Sequence, residues 1–65
     1  MTLTYAPSKL RLERIRLGVS LSRMAYETDI NISLLSLIER GQTERPDIER
    51  RMRQYLARIE KKAAR

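Results

Sequence analysis

The chain is 65 residues long, with 42% apolar and 34% charged residues, and it contains neither cysteine nor histidine. That length fits one domain around one small core, and the missing residue types exclude disulfides and a Cys/His zinc site as sources of stability. Fourteen Lys and Arg against eight Asp and Glu give a net charge of +6, and eleven of the fourteen bases are Arg. Such a balance either keeps a small protein soluble or matches a polyanion. The planar fork of Arg suits phosphate and guanine, and tips the reading toward a polyanion.

Residues 1–7 (MTLTYAP) are Thr-rich and closed by Pro7, and read as an N-terminal arm, either frayed or weakly strand-like. They lack the basic start and apolar stretch of a signal peptide, and no apolar run approaches a membrane span, so a cytoplasmic protein is expected. The domain proper is expected over 8–65.

Ser8 is a good N-cap for a first helix running to 17, with Leu10, Ile15 and Leu17 available to the core and Gly18 as its stop. Ser20 caps a second helix from 21 to about 28, in which Met24 and Ala25 point inward. After a short break at Asp29, Ile30 and Asn31, a third helix covers 32–40 and ends at Gly41. Two helices joined by so short a corner have the spacing of a helix-turn-helix unit.

Residues 42–45 form a polar loop, and Pro46 opens a last helix whose first turn carries Asp47 and Glu49 against the positive end of its dipole. Ile48, Met52, Tyr55, Leu56 and Ile59 make one apolar stripe along it, while Arg50, Arg51, Arg53, Arg58, Lys61, Lys62 and Arg65 occupy other faces. The start of the stripe, Ile48 and Met52, is expected to close the monomer core. Tyr55, Ile59 and Ala63 are left open to a partner as a dimer surface.

Glu13-Arg14-Ile15-Arg16-Leu17-Gly18-Val19-Ser20, Met24-Ala25, Ile38-Glu39-Arg40-Gly41 and the loop to Pro46 follow in order, and over about 8–57 the chain resembles the phage repressor/Cro family of DNA-binding domains. The resemblance implies an all-α, compact, four- to five-helix lambda-repressor-like fold, with the second helix across the DNA backbone and the third in the major groove. It also implies a partly buried ion pair between Arg14 and Glu39, tying the first helix to the third.

If Leu35 and Ile38 face inward, then Ser33, Ser36, Leu37 and Arg40 face outward, with Ile32 and Leu34 at the flanks. In the family, positions matching Ile32, Ser33 and Leu37 carry base-reading side chains, commonly polar; here two are aliphatic. Hydrogen-bond readout would then fall to Ser33, Ser36 and Asn31, with aliphatic contact limited to shape and thymine methyls. Arg40, Gln42 and Arg45 fall where family members hold phosphates, and Arg23 and the capped helix start at Ser20 join them.

Two further departures are Asp29, where the family places Gly, and Leu21, where it often places a phosphate-holding Gln. The expected function is a sequence-specific transcriptional regulator, in the manner of a repressor, binding double-stranded DNA as a homodimer and suited to a phage or mobile-element switch. The alternative is a protein-interaction module that uses Ile32, Leu34 and Leu37 to dock another regulator or polymerase. A membrane-lying last helix ranks below both, since its apolar stripe is needed by the core. With no His, Cys, phosphate loop or metal-ligand cluster, neither catalysis nor a metal or other cofactor is expected.

Overall fold

The computed structural model describes residues 8–63; residues 1–7, read above as an arm, and residues 64–65 lie outside them. Among the described residues the chain is all-helical: α1 (Lys9–Arg16), α2 (Leu21–Thr28), α3 (Ile32–Glu39) and α4 (Pro46–Ala63), with no strand. None of these helices is long and apolar enough to cross a membrane.

The first three helices have eight residues each. Isolated helices shorter than about 12–15 residues are marginal in water, so these three depend on their caps and on packing. Ser8, Ser20 and Asn31 each accept a backbone N–H of the first turn, from Arg11 at 3.1 Å, Arg23 at 3.0 Å and Ser33 at 2.7 Å. An Ala in place of such a cap costs about 1 kcal/mol.

The helix ends follow from two glycines. Gly18 and Gly41 sit at φ +73° and +75°, where a side chain is disfavoured. At each, the glycine N–H and the one after it return to carbonyls of the last turn: Gly18 to Ile15 and Val19 to Arg14, then Gly41 to Ile38 and Gln42 to Leu37. This paired closure satisfies carbonyls that a bare helix end leaves open. It also ends each helix in a sharp turn, and α1 packs against α4.

Asp29 makes the corner between α2 and α3 in the left-handed region, at φ 59° and ψ 38°. Asp is tolerated there better than most residues because it is short and polar. Asp29→Gly is therefore expected to change stability by less than about 0.5 kcal/mol, relief of strain offsetting added freedom in the unfolded chain. Asp29→Val, which cannot adopt this conformation cheaply, is expected to cost about 1–2 kcal/mol, read as a lower urea midpoint.

One core unites the four helices: Leu10, Val19, Met24, Ile30, Leu35, Ile38, Ile48, Met52, Tyr55 and Leu56, with Met24, Leu35 and Met52 fully enclosed. Two of its members, Val19 and Ile30, come from the corners and not from a helix. Burying each such side chain contributes about 1.5–3 kcal/mol, enough to hold helices that would not persist alone.

Two sequence expectations change. Ile15, expected in the core, is 55% exposed. It lies about 140° round the helix from Leu10, and the inward position beside Leu10 and Leu17 is taken by Arg14, which meets a buried carboxylate. Tyr55, expected to be open to a dimer partner, is 5% exposed and belongs to the core, because α2 packs directly over that part of α4.

Candidate nucleic-acid interface

The surface of interest is the outer side of α3 with the corners at either end. Its inner side is fixed by Leu35, Ile38 and Glu39, all buried. Glu39 is held from across the molecule: Arg14 Nε donates to its Oε2 at 2.7 Å and Arg14 Nη2 to its Oε1 at 3.0 Å, while Nη1 donates to the Val19 carbonyl at 2.9 Å. The pair is bidentate, with side-chain exposures of 12% and 3%, and among the described residues no buried side-chain polar atom is left without a partner. One ion pair thus joins the end of α1, the first corner and the end of α3.

At about 100° per residue, Ser33 and Arg40, seven apart, fall within about 20° of each other on α3 and opposite its buried side. Both are exposed, flanked by Ser36 and Leu37, which are half-buried. The centre of the outer face is therefore polar. Ile32 is 43% exposed near the helix start, whereas Leu34 packs against the core. Of the three aliphatic residues read as a docking patch, only Ile32 stands out from the surface.

The remaining expected contact residues divide by what they already do. The Asn31 side-chain oxygen is committed to capping α3, so only its amide N–H2 could read a base. Ser20 likewise spends its hydroxyl on the α2 cap, leaving backbone N–H groups at that helix start. Arg40 and Gln42 are exposed beside the α3 end. Arg45 is exposed with Asp47 3.4 Å away, a contact that water weakens.

Arg23 is not grouped with these. It lies 3.6 Å from Glu27 on α2 and lines a groove against α4 together with Tyr55 and Ile59. The Tyr55 hydroxyl donates to Glu27. Arg51 donates from α4 to the Thr28 carbonyl at 2.6 Å, clamping the same two helices. Nothing in the sequence pattern signals the Tyr55–Glu27 pair, whose members are 28 residues apart on separate amphipathic segments.

That pair links stability to pH. Burial first, and the Glu27 contact second, push the Tyr55 hydroxyl above its ordinary 10.0, while the Tyr55 hydrogen bond holds Glu27 below its ordinary 4.5. A raised phenol favours the fold fully below pH 10.0 and less as pH climbs toward its folded value. A depressed carboxylate favours the fold above pH 4.5 and loses that contribution as pH falls toward its folded value. The expected result is that the urea midpoint falls more steeply above pH 10.0 in the native chain than in Tyr55→Phe. Parallel curves would mean that the hydroxyl contributes nothing.

Comparison with protein-family models, with curated proteins and with solved structures gives no match.

Proposed function

We propose that this chain is a sequence-specific DNA-binding domain of the repressor/Cro type, in which α2, the Asp29 corner and α3 form the helix-turn-helix and α3 enters the major groove. The observation that carries this reading is the division of α3. Its inner side is locked to the core and to Arg14, while its outer side presents Ser33 and Arg40 at the centre of an exposed face.

A helix held rigidly on one side and polar on the other is what base reading requires, since side chains must meet base edges without the backbone shifting. Ser33, Ser36 and the Asn31 amide read hydrogen-bonding edges, and Ile32 and Leu37 meet thymine methyls. Arg40, Gln42, Arg45 and the α2 start at Ser20 position the domain on phosphates. The +6 charge supplies the sequence-independent attraction.

Two copies on a two-fold site, with half-sites one helical turn apart, complete the regulator. Tyr55 takes no part in joining them, being internal. The protein-docking alternative has less support, because Leu34 is packed against the core and the polar Ser33 and Arg40 separate Ile32 from the half-buried Leu37.

The test is selection of binding sites from random duplex DNA, followed by affinity measurements across a salt series. The proposal expects a two-fold symmetric site bound about 10³-fold or more above random sequence, with a steep salt slope. Weak, sequence-indifferent binding that vanishes near physiological salt would overturn it.

A further inference from the structure

We propose that the groove between α2 and the end of α4 is a docking site for an acidic segment of another protein, one that carries carboxylates beside an aliphatic or aromatic anchor. The groove has a volume of about 520 Å³. Its floor is the Tyr55 ring and Ile59, and its rim carries Arg23, Arg58, Lys61 and Lys62. Glu27 is the one acid in its wall, and it is already occupied by the Tyr55 hydroxyl and by Arg23 at 3.6 Å.

Charge selects the occupant. Among the described residues no carboxylate lies within ion-pair distance of Arg58, Lys61 or Lys62. The groove on the other flank of α4 carries acids as well as bases: it is lined by Glu13 and Glu60, both on Arg16, by Arg53, which meets Glu49 at 3.7 Å, and by Lys9. Cations near a helix C-terminus answer the dipole, which accounts for Lys61 and Lys62 in the last turn of α4. It does not account for Arg58, a turn earlier, nor for Arg23 facing it from α2.

A second copy is a poor occupant, since a two-fold contact through Ile59 would set Arg58 and Lys62 against their own counterparts. A phosphate backbone is uniformly anionic and has no apolar anchor to set against Ile59, the feature that separates it from an acidic segment carrying one. An acidic segment with an apolar anchor satisfies both the rim and the floor. The site is separate from the outer face of α3 and does not depend on the DNA-binding reading.

The probe is a short fluorescein-labelled peptide that presents leucines at helical i, i+4 spacing flanked by glutamates, followed by anisotropy. Arg58→Glu combined with Lys62→Glu, both exposed positions, is expected to weaken binding about tenfold or more at unchanged helix content, whereas Arg40→Glu changes it less than about twofold. A glutamate-only peptide is expected to bind about tenfold more weakly than the leucine-bearing one. Equal binding of the two peptides, or equal loss in Arg40→Glu, would reduce the groove to general basic surface and overturn the proposal. Displacement of the peptide by duplex DNA, with DNA affinity lost in the double reversal but kept in Arg40→Glu, would assign the groove to nucleic acid and overturn it as well.

Discussion

Glu39→Ala is expected to remove about a third or more of the chain's folding stability. Removing one partner of a buried ion pair costs about 3–5 kcal/mol, because the other charge stays enclosed without its partner. Native domains hold about 0.05–0.15 kcal/mol per residue, which for a chain of this length is roughly 3–10 kcal/mol in total. Arg14 would be stranded at 12% side-chain exposure with only the Val19 carbonyl to satisfy it. Arg14→Ala should be as damaging, since it strands Glu39 at 3% exposure. Replacing both at once, Arg14→Met with Glu39→Leu, should cost less than either single change, because no charge is then left alone. Urea unfolding of the three variants gives the comparison. Losses below about 1 kcal/mol from the single changes would mean that the pair behaves as an exposed one.

Arg40→Glu is expected to weaken DNA binding about 100-fold near physiological salt while leaving the fold in place. Arg40 is exposed, so truncation removes no core contact. Reversal does more than delete a phosphate contact, because a carboxylate beside a phosphate costs several kcal/mol. The change also puts a negative charge at the end of α3, which destabilises that helix by about 0.3–1 kcal/mol; a circular dichroism spectrum controls for this. Arg40→Ala should instead lower the salt slope by about one unit with a smaller loss of affinity. If Arg40→Glu bound DNA as well as the native chain, the outer face of α3 would not be the contact surface.

Most of the helical framework was legible from punctuation. Ser8 and Ser20 mark starts, Gly18 and Gly41 mark stops, and Pro46 opens the last helix; each acts through its own backbone geometry, so a single residue suffices. Asp29 was legible as part of the short break between the second and third helices. The corner residues Val19 and Ile30 were not legible as core, because one apolar residue outside a helix has no period to reveal it. Ile15 was misread because α1 carries apolar residues on both sides, and only the position of Glu39 decides that Arg14 faces inward. Tyr55 belongs to a stripe whose spacing tells which residues share a face, but not whether that face meets α2 of the same chain or another molecule. The candidate contact residues on α3 were legible as an outward set, yet their prior commitments were not. That Asn31 is engaged in capping depends on its hydrogen bond to Ser33, and that Leu34 is packed depends on its neighbours in the core.

The measurement that tests the central claim most directly is an amide nuclear magnetic resonance titration of the intact chain with a selected duplex. The account predicts that the largest shifts fall on 31–37 and 40–45, with a smaller set at the α2 start around Ser20, and that Arg58, Lys61 and Lys62 move little. Shifts concentrated on those three residues and on Arg23, with α3 silent, would contradict it.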